Sequence, residues 1–268
     1  MKAKVLDING QSKKTIELPK FFESEIREDI VAKVLEAKKR QQPFSPSPVA
    51  GKQHSAKGKI VHRRHVWRSG YGRGQSRVPR KIFSQKGTKF NWEAAEVPQA
   101  RGGMRAHPPK ILHFMKELKI NKKENKIAFE SALSATANKK FIQKKYGGIE
   151  NLSKEVPFII ESEILNLKTK QFFESLKKIL GEEIFSVAVR KKAIRSGKGK
   201  LRGRKHKSNS GALIVIGEKE KIKINNFDVA NPKILNVTDL AKGGLGRITI
   251  YTENAIKDLE KRILGERK

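Results

Sequence analysis

Not one acidic residue lies between Gly51 and Trp92, yet the stretch holds twelve lysines and arginines: Lys52, Lys57, Lys59, Arg63, Arg64, Arg68, Arg73, Arg77, Arg80, Lys81, Lys86 and Lys89. Glycines at 51, 58, 70, 72, 74 and 87 are threaded among them, and His54, His62 and His65 add potential charge. A run this basic repels itself and lacks the apolar surface to offset the entropy of ordering. It is expected to need a polyanion to become ordered. A nucleic-acid backbone suits it best, because each phosphate neutralised by Lys or Arg releases a condensed counterion.

The bias extends to the whole chain, whose 60 Lys+Arg against 27 Asp+Glu give a formal charge of +33 over 268 residues. That balance points to nucleic acid rather than to an acidic protein surface or a membrane. No apolar stretch approaches the length needed to span a bilayer. The start, MKAKVLDING, lacks the apolar core of a signal peptide, so an intracellular protein is expected. With no cysteine there are no disulfides, zinc knuckles or thiol nucleophiles. Outside the basic run, enough chain remains for one or two domains with a core.

Strands are predicted at Lys4–Ile8 and Thr15–Leu18 around an Asn9-Gly10 turn, a strong hairpin signal. Pro19 leads into a helical stretch to about Gln42, with Ile26, Ile30, Val31, Val34 and Leu35 forming its buried stripe. Pro43, Pro46 and Pro48 end it. From about Phe44 to Pro109 no helical or strand period is sustained, which a compact domain tolerates only as a functional extension. Further helices are predicted at Pro109–Leu118 and from about Asn121 to Lys145. Asn121 serves the second as N-cap, with Glu124 placed to reach back to it. Between Ala128 and Ala137 that helix is rich in Ala and Ser, which lets another backbone approach closely.

Short apolar runs follow at Val156–Ile160, Ala212–Ile216, Ile234–Val237 and Ile248–Tyr251, with helical patterns at Thr169–Leu180, Glu182–Ile194 and Glu253–Leu264. Phe185, Val187 and Val189 in the middle one also alternate like a strand. Continuous apolar strands among amphipathic helices predict an α/β fold, its mostly parallel sheet flanked by helices on both faces. A second acid-free island, Arg190–Lys207, interrupts this half with ten Lys/Arg and glycines at 197, 199 and 203.

The motifs carry RNA-contact chemistry and no catalytic set. Gly70-x-Gly72-x-Gly74 neither follows an apolar strand nor opens a helix, so it is read as permissive backbone between arginine forks, not as a nucleotide loop. His62-x-x-His65 has no carboxylate or cysteine nearby and is flanked by Arg63 and Arg64, so no metal is expected there. Trp67, Tyr71, Phe83, Phe90 and Trp92 are interleaved with arginines and either stack on unpaired bases or form a local cluster. Arg101, Arg105, Arg195, Lys198, Lys200, Arg202, Arg204 and Lys205 complete the candidate RNA contacts. Gly243–Gly246 reads as a structural turn, with Arg247 within reach of RNA. An RNA-modifying enzyme would need a cofactor loop after a strand or converging acids. A chromatin-compacting protein would show little preference for folded RNA.

The stretches SGYGRGQSRVPR (69–80), AAEVPQARGGMRAHPPK (94–110), NKKENKIAFESALSATAN (121–138), RSGKGKLRGRKHK (195–207) and GRITIYTENAI (246–256) together resemble the fourth-protein family of the large ribosomal subunit, in its archaeal/eukaryotic form. The resemblance covers essentially the whole chain. It implies a globular α/β domain (1–43 and 110–268) carrying an inserted rRNA-penetrating loop (44–109). It also implies a non-enzymatic, cytoplasmic role in the large subunit without cofactor or small-molecule substrate. The partners would be large-subunit rRNA, neighbouring ribosomal proteins and, transiently, the nascent polypeptide. In that family the loop tip lines the peptide exit tunnel, which on this chain would place Ser69, Gly70, Tyr71, Gly72 and Arg73 at the tunnel wall. The family's proline-glycine-glycine-histidine turn before the last strand appears here as Lys242-Gly243-Gly244-Leu245.

Overall fold

The computed structural model describes residues 1–40, 61–87, 89–103, 106–107, 118–149, 154–222 and 224–265. In chain order the strands and helices are β1 (Lys2–Leu6), β2 (Ser12–Glu17), α1 (Glu28–Arg40), β3 (Arg80–Lys86), β4 (Lys89–Ala94), α2 (Lys122–Thr136), α3 (Lys139–Lys145), β5 (Phe158–Ile160), α4 (Thr169–Leu180), α5 (Glu182–Ala188), β6 (Lys192–Ile194), β7 (His206–Ser208), β8 (Leu213–Val215), β9 (Asp228–Ala230), α6 (Val237–Leu240), β10 (Thr249–Thr252) and α7 (Glu253–Gly265). They fall into two compact units, one of Met1–Lys38 with Lys119–Lys268, the other of Lys39–Leu118.

The first unit is mixed α/β. Its six-stranded sheet runs β2-β1-β5-β10-β8-β9, parallel throughout except for the antiparallel β1–β2 hairpin around Asn9-Gly10. The central strands β5, β8 and β10 are buried at every position because both faces are covered. Within β5, Ile159 joins a core with α1, α2 and α7, while Phe158 and Ile160 join the opposite core with α4 and α5. Val215 and Tyr251 face the first core; Ile214 and Ile250 face the second. Each such side chain, fully buried, contributes about 1.5–3 kcal/mol. Across the C-terminal ends of β8 and β10, the Glu220 carboxylate accepts from Gly217 N–H (2.7 Å), Thr252 Oγ1 (2.7 Å) and Asn254 Nδ2 (2.8 Å).

Several elements depart from the sequence expectation. Pro19 opens a 3-10 turn, Lys20–Glu23, and α1 begins only at Glu28, so Ile26 lies ahead of the helix. The helix expected from 121 to 145 is two. The Thr136 hydroxyl donates to the Leu133 carbonyl (2.7 Å), the acceptor that Ala137 N–H would need. Ala137 N–H turns to the Ser134 carbonyl instead (3.0 Å), and Asn138 restarts the chain as α3 by accepting from Lys140 N–H (3.0 Å). At the start of α2 the Asn121 side chain makes no capping bond, and the Glu124 carboxylate is engaged by Lys33 (2.9 Å). The close approach expected over its Ala/Ser stretch is present. Ser131 and Ser134 hydroxyls donate to the carbonyls of Glu25 (3.1 Å) and Ser24 (2.7 Å).

Ile234–Val237 is not a strand: Asn236 opens α6, and the edge strand is β9. The 182–194 helix stops at Ala188, after which Lys192–Ile194 pairs as a strand. The helix expected at 109–118 falls almost wholly outside the described residues.

The second unit contains structure where none was expected. β3 and β4 form an antiparallel hairpin, Arg80 opposite Ala94 and Lys86 opposite Lys89. Its register shifts between Ile82 and Ser84, leaving Phe83 as an extra residue. Such a bulge interrupts the period-two pattern by which a strand is recognised.

Candidate nucleic-acid interface

The second basic island is a hairpin standing on the α/β unit. β6 and β7 pair antiparallel, with Lys192 opposite Ser208 and Ile194 opposite His206. The pairing continues as Arg195 N–H donates to the Lys205 carbonyl (2.8 Å). A 3-10 turn over Lys198–Arg202 forms the tip, where Leu201 is 82% exposed. Lys198, Lys200, Arg202, Arg204 and Lys205 are exposed, while Arg195 is half-buried with Nε donating to the Arg204 carbonyl (3.2 Å). Among the described residues, none of the cations from Lys191 to Lys207 has a carboxylate partner. So many like charges on so small a hairpin repel one another until a polyanion arrives.

The root of this hairpin is fixed by residues that the sequence reading did not single out. Asn209 accepts from Lys191 N–H (2.7 Å) and donates to the carbonyls of Val187 (3.2 Å) and Val189 (3.0 Å), clasping the strand ends together. Asp228 on β9 faces Arg190 (3.3 Å), Lys242 (2.6 Å) and Arg247 (2.6 Å). Burial pushes the Asp228 carboxyl up, but hydrogen bonds from Lys242 and Arg247, with their charges, outweigh it and hold it below the ordinary carboxylate range.

Arg247, read from sequence as within reach of RNA, is instead fully buried. Its guanidinium donates to the carbonyls of Ser210 (2.7 Å), Gly211 (3.0 Å) and Asp239 (2.7 Å), besides Asp228. A rigid five-donor fork suits a buried cluster of carbonyls around one carboxylate, which lysine does not. The glycine turn that delivers Arg247 is held from outside by Lys145, whose Nζ donates to the carbonyls of Lys242 (2.9 Å) and Gly244 (2.8 Å). Burial and then repulsion from Arg247 push the Lys145 amine down to about 7.

Of the first island, Lys52, Lys57, Lys59 and Arg105 lie outside the described residues. Over 61–70 the chain forms a closed loop: Val61 N–H donates to the Arg68 carbonyl (3.1 Å), and Gly70 N–H to the Val61 carbonyl (3.3 Å). Ser69 is 7% exposed and ties the loop together, donating to the Arg63 carbonyl (2.5 Å) and accepting from Tyr71 N–H (3.2 Å). The Arg64 and Arg77 guanidiniums lie 5.0 and 4.5 Å from the Tyr71 ring centre, and Arg73 lies 5.0 Å from that of Trp92. Tyr71 and Trp92 thus belong to local clusters, while Trp67 is 58% exposed. Arg63, Arg73, Lys86, Lys89 and Arg101 are exposed; Arg68 and Lys81 are half-buried; half-buried Arg80 donates to Ser76 (2.8 Å). Gly70 is half-covered and Gly72 exposed.

Residues 16–262 match the model of the ribosomal protein L4/L1 family. Similar proteins named large ribosomal subunit protein uL4 occur in several archaea. That of Methanosphaera stadtmanae is 38% identical, covering 96% of each chain. That of Methanocaldococcus jannaschii is 37% identical over 98% of this chain and 99% of its own. That of Archaeoglobus fulgidus is 35% identical over 97% and 98%. With the α/β unit and its exposed basic hairpin, these matches establish that the chain belongs to the ribosomal protein L4/L1 family.

Proposed function

We propose that the chain is a structural, non-enzymatic constituent of the large ribosomal subunit that binds large-subunit rRNA, supports its assembly and lines part of the nascent-peptide exit tunnel. The observation that carries the RNA-binding part is the hairpin, whose cations from Lys191 to Lys207 lack carboxylate partners and whose root is anchored by Asn209, Asp228 and Arg247. An anchored hairpin presents Lys198, Lys200, Arg202, Arg204 and Lys205 to phosphates at little further ordering cost. The inserted segment 44–109 is the second grip, entering RNA with Arg63, Arg64, Arg68, Arg73, Arg77, Arg80, Lys81, Lys86, Lys89 and Arg101, together with Lys52, Lys57, Lys59 and Arg105. With six to ten phosphate contacts, affinity should fall about 10³–10⁵-fold between 50 and 200 mM salt, by analogy with duplex DNA.

At the tunnel, Gly70, Tyr71, Gly72 and Arg73 form the wall, and buried Ser69 holds their loop in shape. Neighbouring ribosomal proteins and the passing nascent chain are the protein partners, and the place of work is the cytoplasmic large subunit. A photoreactive amino acid at position 71, on purified translating ribosomes, tests both parts. Crosslinks to the growing peptide support the tunnel role, and crosslinks confined to rRNA remove it while keeping the scaffold role. Absence of the chain from ribosomes overturns the proposal.

A further inference from the structure

A third basic surface lies within the α/β unit, and none of its lining residues belongs to either island. A cleft of about 580 Å³ is walled by Lys38 of α1, Lys122, Lys123 and Lys126 of α2, and Arg262 of α7, over a floor that includes Phe129 and Leu235. Five cations from three helices converge on it, and none of its lining residues is acidic. Arg262 is held in place, with its guanidinium 5.1 Å from the Phe129 ring centre and Nη1 donating to the carbonyls of Pro232 (2.5 Å) and Leu235 (3.0 Å). The volume is that of a site for a nucleotide-sized group, well beyond a single carboxylate.

Lys122 and Lys123 occupy the first turn of α2, where the helix dipole opposes positive charge. Glu124, the acid of that turn, is engaged by Lys33 (2.9 Å). The placement is therefore unfavourable to the free protein and calls for an anion from outside. We propose that this cleft is a third RNA-binding site. In it Lys38, Lys122 and Lys123 hold consecutive phosphates of one strand, and a sugar or base rests on the apolar floor.

The proposal rests on the rRNA-binding reading above, and its test separates the two. The chain has no cysteine, so Lys123→Cys and, in parallel, Arg202→Cys each provide one thiol for a tethered hydroxyl-radical source on the full chain bound to large-subunit rRNA. Backbone cleavage from both positions, at different nucleotides, is the expected result. Cleavage from position 202 alone overturns the cleft proposal, and is what an acidic segment of a neighbouring protein in the cleft would produce. Silence from both positions means that the rRNA-binding reading itself has failed. Lys122→Glu with Lys123→Glu supplies a signature that a structural role would not show. The free protein should unfold at the same or a higher temperature, because acids suit a helix N-terminus. Its rRNA affinity should fall, and the slope of log affinity against log salt should become shallower by about 2. A lower unfolding temperature, or an unchanged slope, overturns the proposal.

Discussion

Replacing Arg247 with methionine keeps most of the buried volume and removes every donor, so it isolates the guanidinium's contribution to the fold. Three carbonyls, those of Ser210, Gly211 and Asp239, lose donors now 2.7, 3.0 and 2.7 Å away. At about 1 kcal/mol or more for each buried acceptor left without a donor, that costs about 3 kcal/mol. Asp228 also loses its 2.6 Å contact but is partly exposed and keeps Lys242 and Arg190, so no charge is left unpaired and the ion-pair loss adds at most about 2 kcal/mol. The expected total is about 3–5 kcal/mol, a large part of the roughly 5–15 kcal/mol that holds a domain folded. Arg247→Lys restores the charge without the fork and should cost about 2 kcal/mol. Urea unfolding of the free protein would measure both, as a shift of midpoint at constant slope. Amide exchange should accelerate first over 190–212, because the lost acceptors lie at the hairpin's root. A loss below about 1 kcal/mol for Arg247→Met, or a lysine variant weaker than the methionine one, would refute this account of the buried guanidinium.

Other consequences follow from the same region. Gly246 has φ +76°, and an added Cβ would crowd the Phe141 carbonyl group and the Ile142 nitrogen, so Gly246→Ala should cost about 2–4 kcal/mol in thermal unfolding. Asn209→Ala removes three bonds at the hairpin root and should speed amide exchange over 190–208 while leaving β8 and β10 protected. Lys145, pushed down to about 7 in the fold but ordinary when unfolded, makes the unfolded chain bind more protons between those values. Stability should therefore rise as pH increases from about 7 toward 10, and Lys145→Met should flatten that rise in a pH series of urea midpoints.

Recognition from sequence worked where the signal was local. The Asn9-Gly10 hairpin, the apolar runs of β5, β8 and β10, and the stripes of α4 and α7 each carry their own local pattern, and all six features are present. It failed where a side chain outside the period intervened. Thr136 takes the carbonyl that α2 needed to continue, and the bulge at Phe83 hides a hairpin inside a run expected to be structureless. The β9 strand, Asp228–Ala230, opens on a charged residue and carries no continuous apolar run, while Ile234–Val237 imitates a strand.

The charge distribution is the part of this protein that its sequence alone determines, because net charge and acid-free runs need no fold to be counted. From it follow the preference for a polyanion and the two basic islands. Which arginine meets solvent is another matter. Arg247 lies beside a glycine turn much as Arg202 and Arg204 do, yet one is buried on carbonyls from two segments and a carboxylate from a third, and the others are exposed. The cleft of Lys38, Lys122, Lys123 and Arg262 likewise joins positions far apart along the chain. Burial and convergence depend on which distant segments pack together, so only the tertiary structure decides whether a cation holds the fold or waits for a phosphate.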